Sequence, residues 1–149
     1  MRRLVITWVL AIGLFGLNGI AGAEQTDPPF VNVYTKPDKI DLGIVPLFQD
    51  AFEAPEALTV YVDANCLHGP IMISATKLKR QQGDSISPDN IFVRTPATGG
   101  YVAMARPVRI SEPTMGSHKI VLDLRVQAQF LHPAGEYSGT LTLTIMPPA

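Results

Sequence analysis

The chain reads as an all-β protein, an antiparallel β-sandwich of about seven to nine short strands. Three observations predict it. Residues 119–146 alternate apolar and polar side chains with period two, the signature of strands with one buried face. The 13 prolines suit a chain of many strands and turns and work against long helices. No window carries apolar residues at i, i+3, i+4 and i+7 over three turns.

The first residues are read apart from the fold. Met1-Arg2-Arg3 is a positive start, Leu4 to Ile20 is an apolar run, and Ala21-Gly22-Ala23 is a small-residue cleavage signal. That is the pattern of a secretory signal peptide over residues 1–23, with the mature chain beginning at Glu24. It predicts an exported protein, periplasmic, at the cell surface or extracellular, with no membrane span once the leader is cut. Residues 24–29 form a polar, flexible lead, and residues 30–149 a single sandwich domain. Removing 1–23 from the 149 leaves 126 residues, enough for one core. Arg2 and Arg3 leave with the leader, so the formal charge moves from −1 to about −3. That balance gives no basic footprint for nucleic acid.

Taken in order, Phe30 to Tyr34 is a short strand that Lys36-Pro37-Asp38 ends. Ile40 to Val45 is a second, with Gly43 marking a bend. Leu47 to Pro55 is a loop carrying Phe48 and Phe52, read either as a plug for one end of the sandwich or as an exposed apolar contact patch. Ala57 to Cys66 and Ile71 to Lys79 read as adjacent antiparallel strands around the turn Leu67-His68-Gly69-Pro70. Arg80 to Asn90 is a polar loop. Ile91 to Thr95 and Tyr101 to Ile110 are strands, the latter weakened at Pro107. In the C-terminal pair, Ile120, Leu122, Leu124, Val126, Ala128 and Phe130 take one face of the first strand. Tyr137, Gly139, Leu141, Leu143 and Ile145 take one face of the second. His132 to Glu136 supplies the turn chemistry between them, so the pair reads as a hairpin.

Little in the chain points to catalysis. The three histidines, His68, His118 and His132, each lie in a turn, without His-x-x-x-His or Cys-x-x-Cys spacing. The serines lack the Gly-x-Ser-x-Gly context of a nucleophile elbow. Asp84 to Asn90 is rich in oxygen but lacks the order of a calcium loop. No enzyme activity, metal or cofactor is therefore predicted. Cys66 is the single cysteine, so no disulfide within the chain can form, and it is read as a free thiol on the apolar phase of its strand. Tyr61, on the opposite phase from Val60 and Val62, is the best candidate for an exposed aromatic.

The run Pro133-Ala134-Gly135-Glu136-Tyr137-Ser138-Gly139-Thr140-Leu141-Thr142-Leu143-Thr144 resembles the closing strand of secreted bacterial immunoglobulin-like domains. The resemblance implies a tyrosine corner at Tyr137, its hydroxyl bonded to backbone just upstream. Leu58 to Cys66 (LTVYVDANC), with the IMIS strand that follows, is similar to the second strand of chaperone–usher fimbrial subunits. That resemblance implies a sandwich lacking its seventh strand and completed by β-strand addition. The chain has one cysteine where such subunits commonly have two. The expected function is thus an exported, non-enzymatic structural or assembly protein of the cell surface, fimbrial-subunit-like, acting by β-strand pairing. Its partner would be another protein or another copy of the chain at an exposed strand edge, with the segment holding Val31 and Val33 as one pairing element. The alternative is a periplasmic or extracellular module binding a glycan or a protein through loops 47–55 and 80–90, with Phe48, Phe52 and Tyr61 in contact.

Overall fold

Two antiparallel sheets pack face to face, as the alternation predicts. The computed structural model describes residues 27–42, 50–128 and 132–146, and the backbone of residues 6–13. Its strands are β1 (Ile6–Gly13), β2 (Val31–Lys36), β3 (Ala51–Ala64), β4 (Ile71–Ala75), β5 (Leu78–Arg80), β6 (Ser85–Ile86), β7 (Ile91–Arg94), β8 (Val102–Ala103), β9 (Val108–Ser111), β10 (His118–Gln127) and β11 (Tyr137–Ile145). A 3₁₀ turn, Pro88–Asn90, precedes β7. One sheet runs β2-β3-β10-β7-β8. The other runs β6-β5-β11-β4-β9, with β1 added along β11.

Burial follows the period-two reading closely. Leu58, Val60 and Val62 of β3 and Ile120, Leu122, Leu124 and Val126 of β10 line the inner face of the first sheet. Ile71 and Ile73 of β4, Leu78, Ile86, Tyr137, Leu141 and Leu143 face them from the second. Burying a side chain of this size contributes about 1.5–3 kcal/mol each, so this layer drives the fold.

The strands depart from the sequence reading in their pairing and in their extent. β10 and β11 are not a hairpin: β10 lies between β3 and β7, whereas β11 belongs to the opposite sheet. The segment between them crosses from one layer to the other. Likewise β3 and β4 lie in different sheets and are not neighbours. The stretch Tyr101–Ile110 splits into β8 in the first sheet and β9 in the second, with Pro107 in the break. Ile71–Lys79 is interrupted at residues 76–77. Ile40–Leu42 is not strand; the remainder of that expected strand lies outside the described residues. These short pieces bring the strands after residue 30 to ten among the described residues.

β3 also extends back through the expected loop. Ala51–Ala54 pairs with β10, and the irregularity sits at Pro55 to Ala57 instead. Leu122 aligns with Leu58 and Leu124 with Ala54, so two steps on β10 meet four on β3. The excursion adds an even number of residues and keeps the facing phase. Phe52 therefore turns inward, at 6% exposure. Glu56 takes φ of 51° at the excursion, and a proline inside a long strand is tolerated there because the ladder is already broken.

Candidate functional site

β11 is bounded differently on its two edges. On one, Leu141–Ile145 pairs antiparallel with β4, and Tyr137–Ser138 with β5. The gap between β4 and β5 is closed by Thr76. Its amide donates to the Thr140 carbonyl at 2.9 Å, and its Oγ1 accepts from the Thr140 amide at 2.9 Å. The Met146 amide donates to the Pro70 carbonyl on the same side, at 3.1 Å. Even-numbered residues thus spend their backbone groups on β4. Period two turns the amides and carbonyls of Gly139, Leu141 and Leu143 to the other edge.

That other edge carries β1, which runs parallel to β11. Its register is continuous over eight residues, from Ile6 level with Tyr137 to Gly13 level with Thr144. Within it, Leu10 is level with Leu141 and Ile12 with Leu143, while Trp8 is level with Gly139. Among the described residues β1 is the only strand on this edge. The segment read as the apolar run of a leader is therefore the strand that flanks this edge of β11.

The approach to β11 is pinned. Tyr137 is fully buried, and its Oη donates to the Pro133 carbonyl, four residues upstream, at 2.9 Å. Arg80 Nη1 donates to the Ala134 carbonyl at 2.6 Å, and Nη2 pairs with Asp84 at 2.8 Å. Gly139 is tightly enclosed: a Cβ there would stand 2.9 Å from Leu78 Cδ2 and 3.3 Å from the Lys77 carbonyl.

The outer face of the first sheet carries a second group of side chains. Tyr34 and Tyr61, paired across β2 and β3, stack with centroids 4.9 Å apart and planes at 6°, and Lys36 Nζ sits 5.9 Å from the Tyr61 ring. Farther along, Asp123 on β10 faces the irregularity in β3. Its Oδ1 accepts from the Glu56 amide at 2.8 Å, and its Oδ2 accepts from Arg94 Nε and Nη2 at 2.9 and 2.7 Å. The Glu56 amide, then the Arg94 guanidinium, hold the Asp123 carboxyl below its usual range. Arg94 lies over the Tyr101 ring at 4.6 Å and Arg125 at 5.8 Å. Burial, then the charge of Glu53, pushes the Tyr101 phenol up.

The residues singled out from sequence do not converge. Val31 and Val33 pair with Ala64 and Val62 of β3, in the sheet opposite β11, so this segment does not fill the β11 edge. Of the two readings of Phe52, the structure has the buried one: it lies in the core and not on an exposed contact patch. Phe48 lies outside the described residues. Of the expected loop 47–55, residues 51–55 belong to β3 and residues 47–49 lie outside the described residues, while 80–90 holds β6 and the 3₁₀ turn. Tyr61 is half-buried in its stack. Cys66 is free and half-exposed, its Sγ donating to the Phe30 carbonyl at 3.6 Å. His68 is 1% exposed, stacks on His118 at 5.6 Å and donates from Nδ1 to the Gly69 carbonyl at 2.7 Å. Among the described residues no group of three His, Cys, Asp or Glu could hold a metal ion.

Sequence pattern does not mark Tyr34, Lys36, Arg94 and Tyr101 as a surface group. The shared phase of Tyr34 and Lys36 was a usable signal; the meeting of Arg94, Tyr101 and Asp123 depends on strand order, which alternation does not encode. No helix among the described residues is long and apolar enough to cross a membrane. No protein-family model and no curated protein matches the chain.

Proposed function

We propose that the protein is an exported, non-enzymatic assembly protein of the cell surface, and that it works by β-strand addition at the outer edge of β11. The observation that carries this reading is the continuous eight-residue pairing of β1 along that edge. β1 comes from the apolar segment of a cleavable leader. In the mature chain the amides and carbonyls of Gly139, Leu141 and Leu143 face an edge that β1 has vacated. An unpaired edge backed by a buried apolar face is a template for another strand.

Strand order supports the same reading. An immunoglobulin sandwich sets A-B-E-D against C-F-G. Here β2-β3-β10-β7 takes the place of A-B-E-D, and β4 and β11 the places of C and F. The position of G, beside F, is the one β1 occupies. The Tyr137 hydroxyl bonded to Pro133 is the geometry of a tyrosine corner. The partner is an extended protein segment, from another protein or from another copy of the chain.

Hydrogen exchange on the mature chain, beginning at Glu24, tests this. The amides of Gly139, Leu141 and Leu143 should exchange far faster than those of Val60 and Leu122. Failing that, they should be protected only in oligomers that form with rising concentration. A dilute monomer that protects all three as well as it protects Val60 already has that edge covered, and the proposal then fails.

A further inference from the structure

We infer that the leader itself is the first occupant of this edge: Ile6–Gly13 masks the β11 edge within its own chain, and loss of the leader is what makes the edge able to receive a partner. The inference rests on the reading of β11 as an acceptor edge and adds how that edge is kept closed.

Three observations carry it. The pairing is not a glancing contact: eight successive residues of β1 keep one register against Tyr137 to Thr144 without a shift. The register also sets apolar residues of β1 level with buried ones of β11. Ile6, Leu10 and Ile12 are level with Tyr137, Leu141 and Leu143, the buried positions of β11, and Trp8 is level with Gly139. The chain can also make the connection within one molecule. Seventeen residues separate Gly13 from Val31. Extended, they reach roughly 55 Å, more than the diameter of a domain whose radius of gyration is about 14 Å.

Tethering gives the masking its strength. A segment linked to its own site competes at an effective concentration on the order of mM. A free strand must overcome that concentration while the leader is attached, and need not once it is cut. The leader-retaining chain should therefore bind an added strand about tenfold or more weaker than the mature chain does.

The probe is a synthetic peptide of residues 6–13 flanked by lysines for solubility, with a scrambled peptide as control. Three proteins are compared: the mature chain, the full chain refolded with its leader retained by Ala21→Gln and Ala23→Gln, and that same chain carrying Val9→Pro and Ala11→Pro. Peptide binding is read by fluorescence of Trp8 in the probe for the mature chain, and by native mass spectrometry for all three. Exchange of the Gly139, Leu141 and Leu143 amides is followed in parallel. The expected result is that the probe binds the mature chain and protects those amides. The leader-retaining chain has them protected from the start and takes up the probe at least tenfold more weakly, and the proline variant regains binding. If the leader-retaining chain takes up the probe as readily as the mature chain, with its edge amides exposed, masking is refuted while the acceptor edge stands. If the mature chain neither binds the probe nor exposes those amides, the acceptor edge fails, and masking fails with it.

Discussion

Tyr137→Phe isolates what the corner at the start of β11 contributes. The substitution removes one oxygen and leaves the ring, so the packing of this fully buried side chain is retained. What is lost is the 2.9 Å hydrogen bond from Oη to the Pro133 carbonyl. A net intramolecular hydrogen bond is worth about 0.5–1.5 kcal/mol, and a buried acceptor left without its donor adds to the loss. Pro133 is half-buried, so its carbonyl regains water only in part, which places the cost at about 1–1.5 kcal/mol. For a domain of this size that corresponds to a fall in Tm of about 3–6 °C. Urea unfolding of the mature chain, followed by circular dichroism, gives the midpoint. Tyr34→Phe is the control: Tyr34 is 49% exposed, and its change should stay within about 0.5 kcal/mol. Equal midpoints for Tyr137→Phe and the parent would show that the corner does not hold the crossing into β11, and the argument would be wrong.

Two further outcomes follow from the same packing. Phe52→Ala should destabilise by about 3–4 kcal/mol, because it empties a core position of β3; urea unfolding checks this, and a change below about 1 kcal/mol would restore Phe52 to the surface. The Asp123 carboxyl has a folded-state pKa below its unfolded one, so its contribution is fully present above the ordinary carboxylate range of about 4 and is lost as pH falls through the folded value. Asp123→Asn should therefore be less stable than the parent at neutral pH and lose less on acidification; urea midpoints from pH 7 down to pH 2 that run parallel for the two proteins would rule this out.

The faces of strands were legible in the sequence, and their neighbours were not. Leu58, Val60 and Val62, or Leu141 and Leu143, announce an inward phase because a strand has only two sides. Which strand lies alongside is a different question. β10 and β11 alternate equally well and are joined by Pro133 and Gly135, so a hairpin was the natural expectation. A chain crossing between layers needs the same turn residues. The strand around Phe52 is hidden in the sequence for a related reason. Pro55 ends most strands, but here two extra residues opposite Asp123 absorb it and leave the phase intact. The Asp123 carboxylate stabilises that excursion from β10, 67 residues away in sequence, beyond the reach of any local pattern. Tyr137 was legible because its partner is only four residues away.

The β11 edge is legible only through a resemblance, and composition alone marks the segment paired with it as a leader. The two descriptions of residues 6–13 are compatible on physical grounds. An apolar run suited to a leader becomes a serviceable strand when β-branched and aromatic residues are spaced through it, as Ile6, Thr7, Trp8, Val9 and Ile12 are here. A leader needs hydrophobicity and no particular register. Strand pairing needs register as well, and here Leu10 and Ile12 are level with Leu141 and Leu143, and Trp8 with Gly139. Gly139 has its own reason to be glycine: a Cβ would press on Leu78, so the second sheet's own packing already takes the space over it.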